Sequence, residues 1–452
     1  MKQQGKRVAR SPEVGMPGTH RSPGLTRRRY QATAATLAAG GALAACAPFG
    51  TQPAAPSEKD VTITYITDWG GGARKAWLDA VLPLFKQENP KITVQTEFAS
   101  SVEISVRAAG AAGTLQDTAL TGPGLTLQLA DEGQLQDITP VLKAMRFNMN
   151  DLAFAPSLIQ IKGKQYGMPL QGGIQSLVIN KTLFKQAGAD LPTDKTTWPQ
   201  LLDLLRRVAR PSENIHGFMS SSNHLLWHIF VWGFGGDRWS ADRKKTLLDQ
   251  APAIEGLQFY VDMMHRQQVA APMDEKGNIP AGVSRNAGNL AISWSMPTRS
   301  VTAGLTFEVD FMYHPLGPRT NKRDVPVRGQ PNTVTVAAAR HGVLDQAVKF
   351  ITWLCASPTA QNIMAESGPE LPTLRSVLST QHFLAPPPAS MKIALDQLSS
   401  WREPQNFKGW DEWGVAVTEA MLPAFSNQKS VVDAAKEATR AGDLVLAKYP
   451  LT

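Results

Sequence analysis

Eleven tryptophans are spread along this chain, and several of them stand beside glycines or acids rather than inside apolar stripes. An indole stacks on the apolar C–H face of a sugar ring, while Asp, Asn, Gln and Arg side chains hydrogen-bond its hydroxyl edge. The tryptophans with such neighbours are Trp69, Trp227, Trp232, Trp294 and Trp410. Each of these, taken alone, also fits a core position, and Trp77 and Trp353 have the helical apolar spacing typical of core residues. Together the five indicate a carbohydrate-binding surface built from loops.

Polar residues at predicted strand ends and chain crossings would supply the hydrogen bonds. In open α/β sheets, ligands bind beyond the carboxyl ends of the strands. The residues with such positions are Asp68, Ser100, Ser101, Gly122, Gln171, Asp237, Asn332 and Arg375. We predict that they line one ligand-binding cleft with the five tryptophans.

Motifs for covalent chemistry are missing from the sequence. It has no G-x-S-x-G elbow, no phosphate loop that ends in G-K-[ST], and no H-E-x-x-H motif. His224 and His228 share a helix face at the spacing of two metal ligands, but no third ligand accompanies them. We interpret both as partly buried, hydrogen-bonded histidines, and we predict neither a metal nor a cofactor.

Hydrophobic periodicity predicts an α/β fold. Residues 61–66 and 91–98 alternate as strands, and residues 76–87 between them have helical periodicity. A strand–helix–strand opening of this spacing is typical of a parallel sheet. Further strands are predicted at 176–180 and 333–338.

The positive charge of the chain is confined to its first residues. The formal charge is +8, but residues 1–45 hold eight Lys or Arg and one acid, which leaves 38 bases against 37 acids in residues 46–452. The body is therefore nearly neutral and gives no reason to expect a nucleic-acid partner.

Residues 1–45 have the organisation of an export signal. Arg27, Arg28 and Arg29 precede an apolar run over 32–45, and this arrangement resembles a twin-arginine signal. A run of about 14 residues is too short for a membrane-spanning helix. The run ends in Leu-Ala-Ala before Cys46, which resembles a lipobox, so we predict that Cys46 is lipidated. Residues 46–59 would then form a tether, and the protein would be extracytoplasmic, anchored to the bacterial cell membrane.

Three segments of the body resemble a known family. They read GKQYGMP at 163–169, LVINKTLFKQAG at 177–188 and TTWPQLL at 196–202. This order is similar to the signature of the family 1 extracellular solute-binding proteins, the carbohydrate-type receptors of ABC importers. Ile179 and Gln200 depart from it, where the family usually has Tyr and an acid.

The resemblance implies an α/β, periplasmic-binding-protein-like class II fold, with two lobes joined by hinge crossings and a ligand cleft between them. We place the first lobe at 60–170 with 331–372, and the second at 171–330 with 373–452. It also implies a monomeric, non-enzymatic receptor that closes on a sugar and delivers it to an ABC permease. Two alternatives are a receptor for a glycerol phosphodiester or other small anion, recognised by Arg375, and an exported carbohydrate-active hydrolase using Asp237, Asp411 and Glu412.

Overall fold

The computed structural model describes residues 59–153, 160–400, 402 and 407–450. The predictions for the export signal and for Cys46 lie outside these residues. The strands are β1 (Val61–Thr67), β2 (Ile92–Phe98), β3 (Thr118–Leu120), β4 (Gln160–Ile161), β5 (Lys164–Gln165), β6 (Gly167–Ile174), β7 (Ser176–Asn180), β8 (His216–Phe218), β9 (Leu290–Ser295), β10 (Val309–Met312) and β11 (Val327–Val334).

The α-helices of the described residues range from four to eighteen residues in length. They are α1 (Gly72–Glu88), α2 (Val102–Ala112), α3 (Pro123–Asp131), α4 (Thr139–Ala144), α5 (Lys181–Gln186), α6 (Trp198–Val208), α7 (His224–Gly233), α8 (Ala251–His265), α9 (Val336–Arg340), α10 (Leu344–Ala356), α11 (Pro358–Ser367), α12 (Arg375–Leu378), α13 (Gln381–Leu384), α14 (Met391–Asp396), α15 (Trp410–Phe425) and α16 (Val431–Lys448). Among them, none combines the length and the apolarity that a membrane crossing requires.

A five-stranded sheet with the order β2-β1-β3-β11-β6 forms the first lobe. β1 runs parallel to β2 and β3, as the strand–helix–strand spacing predicts, whereas β11 is antiparallel to both of its neighbours. Helices α1 and α10 cover the sheet, and Trp77, Phe85 and Phe350 pack in the core beneath them. This arrangement buries the apolar stripe of each helix against the sheet.

A four-stranded sheet with the order β10-β7-β9-β8 forms the second lobe. Its core contains Trp198 of α6, Phe230 of α7 and Tyr260 of α8, and it extends to residues of α15 and α16 at the end of the chain. The mixed α/β composition and the two sheets, each with its own core, confirm the predicted two-lobed class II fold.

Local sequence signals explain several helix starts in the second lobe. The Asn180 side chain accepts a hydrogen bond from the Leu183 backbone N–H and caps α5. Thr197 and Gln200 form a reciprocal capping box at the start of α6, with a proline in its first turn. The family-like segments at 177–188 and 196–202 are thus scaffold.

The strand predicted at 333–338 is only partly correct. β11 ends at Val334, and Thr335 caps the short helix α9 by accepting a hydrogen bond from the Ala337 backbone N–H. The apolar residues after Val334 suggest a longer strand, but Thr335 caps a helix and so ends the strand. The lobe boundaries predicted near residues 170 and 330 fall inside β6 and β11. These two strands pair with each other, and we call the pair the crossing.

A third apolar cluster joins the crossing to the second sheet. Val178 of β7 and Phe311 of β10 pack against Leu371 and Leu374, which follow α11. The chain between α11 and α12 is therefore held in a core of its own.

Candidate ligand-binding cleft

The carboxyl ends of β1, β2 and β3 lie side by side at one edge of the first sheet. In the parallel register, Thr67 is opposite Phe98, and Ile66 is opposite Ala119. The residues that follow these strands, Asp68, Ser100 and Gly122, therefore share the edge where open α/β sheets bind ligands. Two helices begin at this edge: Ser101 caps α2, and Gly122 is the N-cap residue of α3.

Asp68 presents a carboxylate oxygen whose hydrogen-bonding capacity is unused. Its Oδ1 atom is buried and has no hydrogen-bond partner among the described residues. Its Oδ2 atom lies 3.9 Å from Arg74 Nη1, and Arg74 is held 2.9 Å from Glu370 Oε1. A buried acceptor without a partner is costly, so a ligand hydroxyl is a fitting occupant.

The crossing strands supply a second unpartnered acceptor. Gln171 of β6 is opposite Gln330 of β11, and Gln330 Oε1 is buried without a partner in the described structure. Gly173 of β6 has φ +155°, and a Cβ atom there would lie 3.1 Å from Met296 Cε, just beyond β9. The crossing therefore passes directly beside the second lobe.

The two lobes touch where α3 meets the start of α15. A Cβ atom added to Gly124 of α3 would lie 2.2 Å from Asp411 Oδ2, so a larger residue here requires the Asp411 carboxyl to move. Partial burial raises the pKa of the Asp411 carboxyl, and the negative charge of Glu103 adds to the rise. Nearby, Lys408 Nζ lies 2.7 Å from Asp131 Oδ2 at the end of α3.

On the second-lobe side of this contact, three indoles enclose a guanidinium. Arg238 Cζ lies 4.8 Å from the ring of Trp232, 4.5 Å from Trp239 and 4.8 Å from Trp410. We call Trp232, Trp239 and Trp410 the tryptophan box; all three are buried in the core of the second lobe, at 3–4% exposed. Trp410 begins α15, immediately before Asp411, so the box adjoins the lobe boundary.

Asp237 is fully engaged beside the box. Its Oδ1 atom accepts hydrogen bonds from Trp232 Nε1 at 3.2 Å and from the Arg238 backbone N–H at 2.8 Å. Its Oδ2 atom pairs with Arg402 Nη2 at 2.7 Å. Arg402 also reaches Asp324 at 3.5 Å, next to the crossing. Asp237 thus serves to position Trp232 and Arg402.

His224 and His228 lie in the same aromatic region, and burial keeps both neutral. Burial lowers the pKa of His224 to about 3, with a smaller effect from the Arg238 charge, and it lowers the pKa of His228 well below its usual value. The His224 ring lies 5.0 Å from Trp410, and the His228 ring stacks at 3.9 Å on Trp227. Within the described residues, no three His, Cys, Asp or Glu side chains gather in a way that could hold a metal ion.

Several predicted site residues lie in cores. Trp69 and Trp227 are both fully buried, and Trp69 packs edge-on against Trp77 at 5.7 Å. Trp294 packs against Phe218, and its Nε1 donates to the Met219 carbonyl. Asn332 is fully buried beneath the first sheet, where its Oδ1 accepts from the Tyr65 hydroxyl at 3.0 Å. Their side chains pack in these cores, although Trp69 Nε1 is buried without a partner among the described residues.

Arg375 lies apart from the other predicted site residues. It begins α12, is exposed, and donates from Nε to the Asn150 carbonyl at 3.0 Å. The anion-binding alternative stays a prediction, with Arg375 at this exposed position.

Sequence reasoning missed Arg238, Trp239, Arg402 and Gln330. The signal for Arg238 was its position between Asp237 and Trp239, directly after the Gly235-Gly236 turn. The signal for Gln330 was a polar side chain in the crossing segment, opposite the predicted Gln171. Arg402 comes from a distant part of the chain, so only the fold brings it to Asp237.

A cavity of about 630 Å³ extends along the lobe boundary from the Lys408–Asp131 pair. The first lobe contributes Leu127 and Tyr166, and the second contributes Arg243, Phe407 and Tyr449. Both lobes therefore line this cavity at their junction.

Comparisons with known proteins agree with this geometry. The profile of a family described as bacterial extracellular solute-binding protein matches residues 64–361. An ABC substrate-binding protein from Listeria monocytogenes, in complex with cycloalternan, is 20% identical, with a TM-score of 0.75 over 86% of this chain and 98% of that one. UgpB from Mycobacterium tuberculosis, in complex with glycerophosphocholine, is 18% identical, with a TM-score of 0.74 over 86% and 99%. Maltose-bound MalE3 from T. maritima is 20% identical, with a TM-score of 0.70 over 84% and 98%. At these identities the solved structures establish a shared fold.

Proposed function

Because the chain belongs to the bacterial extracellular solute-binding proteins, we propose that it captures a sugar or oligosaccharide between its lobes and delivers it to the permease of an ABC importer. Membership of the family makes it an extracytoplasmic protein. The observation that carries the substrate class is the composition of the lobe boundary. Unpartnered acceptors, Asp68 Oδ1 and Gln330 Oε1, lie on the strand-end and crossing side, and the tryptophan box lies on the other.

Capture works through contacts that exist only when the lobes are together. A ligand held at the strand ends of the first lobe gains contact with the second lobe when α3 approaches α15 at Gly124 and Asp411. Only this difference in contact energy shifts the balance towards the closed form. The closed form would then present a surface made by both lobes to the permease.

The solved structures in complex with cycloalternan and maltose support a saccharide ligand. The complex of UgpB with glycerophosphocholine supports a phosphodiester as the second candidate. Neither function requires a covalent step.

We further propose that the protein is a monomer held at the cell membrane through lipidated Cys46. The lipobox-like sequence before Cys46 supports the anchor. Such an anchor leaves the two lobes free to move beside the permease.

Isothermal titration of the full chain with maltose, maltotriose, a cyclic glucan tetrasaccharide and glycerophosphocholine tests the proposed function. We expect one or more of the saccharides to bind, to change tryptophan emission and to be recovered intact. At a concentration of 100 times Kd, a ligand should stabilise the chain by about 2.7 kcal/mol. Glycerophosphocholine binding alone would favour the phosphodiester candidate, and cleavage of a sugar would contradict the receptor function.

A substitution of Asp68 tests whether the ligand binds at the strand ends of the first lobe. Asp68→Asn should weaken binding of the identified ligand roughly tenfold, or about 1.4 kcal/mol, because a charged acceptor becomes neutral. Asp79→Asn is the matched control, since Asp79 is exposed on α1 and pairs only with Lys75. Equal affinities in the two variants would remove Asp68 from the proposed site.

A further inference from the structure

Arg238 is a buried cation whose donors are unused. It is 3% exposed, its Nε is buried without a partner, and its guanidinium donates no hydrogen bond to any described residue. A guanidinium has five N–H donors, and burial of a charge is expensive unless it is paired and hydrogen-bonded. The three indoles of the tryptophan box supply cation–π attraction, but they accept no conventional hydrogen bonds.

The neighbouring groups cannot satisfy this cation. The Asp237 carboxylate is nearest along the chain, but its oxygens accept from Trp232 Nε1, the Arg238 backbone N–H and Arg402. Asp324 is bound to Arg402 as well. Burial lowers the pKa of Arg238 to about 9; the negative charge of Asp237 opposes this shift, and the positive charge of Arg402 adds to it. His224 and His228 are neutral and add no negative charge.

The position of Arg238 is next to the proposed cleft. On one side the box ends at Trp410, whose neighbour Asp411 touches Gly124 of the first lobe. On the other side Trp232 stacks on Arg402 at 4.8 Å, and Arg402 reaches the crossing through Asp324. The indole of Trp410 therefore separates a ligand at the lobe boundary from the Arg238 guanidinium.

We propose that Arg238 is a specificity-determining residue that binds an anionic group on the ligand, either the carboxylate of an acidic sugar or the phosphate of a phosphodiester. The planar fork of the guanidinium suits two oxygens of such a group, and its apolar surroundings strengthen the pairing. The anion reaches Arg238 when Trp410, the indole at the lobe boundary, turns aside. This inference rests on the proposed receptor function and narrows its substrate class.

Matched ligand pairs test the proposal on the unmodified full chain. The first pair is trigalacturonate and its methyl ester, which differ only in the charged carboxylates. The second pair is glycerophosphoglycerol and diglycerol, which differ in the phosphate. We expect the acid of at least one pair to bind with a Kd at least tenfold lower than its neutral partner. The pair that shows the preference identifies the carboxylate or the phosphodiester as the source of the anion.

Variants then assign the preference to Arg238. Arg238→Gln should abolish it, and Arg238→Lys, which keeps the charge without the fork, should retain part of it. Arg266→Gln is the control, since Arg266 lies exposed beyond α8 and should leave the preference intact. If Arg238→Gln does not fold, the acid–ester comparison in the unmodified chain still decides whether an anion is favoured.

The outcomes separate the two proposals. Equal binding of acid and ester, or of neutral sugars alone, overturns the role of Arg238 and leaves the receptor function standing. Retention of the acid preference in Arg238→Gln also overturns it. If no saccharide or phosphodiester binds at all, both the receptor function and this inference fail.

Discussion

Two aspartates illustrate how burial and partners, rather than residue type, decide what a side chain can do. Asp68 and Asp237 both stand beside a tryptophan or a glycine turn, and the sequence predicts both as ligand contacts. Among the residues that the structure describes, Asp68 has one oxygen without a partner, whereas both oxygens of Asp237 accept hydrogen bonds. The sequence shows which polar residues are near tryptophans, but it does not show which donors the fold has already used.

The buried histidines make stability depend on pH. Burial lowers the pKa of His224 to about 3 and the pKa of His314 to about 4. It also lowers the pKa of His228 well below the usual value for histidine. The unfolded chain therefore binds more protons below about pH 6.5, so the free energy of unfolding falls as the pH drops. Between pH 7 and pH 5 we expect a loss of about 2 kcal/mol per buried histidine, measured by urea denaturation.

A substitution isolates one of these histidines. His314 Nε2 lies 2.8 Å from the Gln175 carbonyl, and His314→Gln can keep an N–H donor there without the titration. The variant should lose about 2 kcal/mol less than the unmodified chain over the same pH interval. His382→Gln, at an exposed position, is the control substitution. Identical pH slopes in all three proteins would show that His314 does not charge on unfolding.

At the scale of helices and strands, local sequence signals predict individual elements better than they predict which strands pair. The spacing of 61–98 correctly predicts β1, α1 and β2, and cap residues adjacent in sequence account for the starts of α5 and α6. Local signals do not predict that β11 pairs antiparallel with β3, because β3 lies about two hundred residues earlier in the chain. Similarly long separations in sequence hide the proximity of Arg402 to Asp237 and of Asp411 to Gly124.

The contact between α3 and α15 makes a prediction about closure. Gly124→Ala places a methyl group against the Asp411 carboxyl, which must rotate away before the helices can approach. We expect roughly fivefold weaker ligand affinity, or about 1 kcal/mol, because the closed form loses stability relative to the open form. Titration calorimetry measures the change.

A second substitution serves as its control. Gly124→Ala combined with Asp411→Ala removes the colliding carboxyl and should restore most of the affinity. A double variant as weak as Gly124→Ala alone would mean that this contact does not limit closure. Thermal melting of each protein separates loss of closure from loss of folding.

For the whole molecule, the shared cluster around Leu371 predicts that the lobes unfold together. Leu371 is fully buried between the crossing and the strands of the second sheet. Leu371→Ala should lower the free energy of unfolding by 2–5 kcal/mol, the usual range for a buried leucine, and shift one single transition in calorimetry. Leu444→Ala, at an exposed position on α16, should have little effect. Two separate transitions would show that the lobes are independent units.

The central position of β11 also has a consequence for biosynthesis. β3 pairs with β1 on one side, but its other edge has no partner until residues 332–334 have been made. During synthesis the growing chain therefore carries an uncovered strand edge, the feature that promotes association between chains. Contacts this distant in sequence also slow folding. The exposed edge of β3 thus persists until residues 332–334 have left the ribosome.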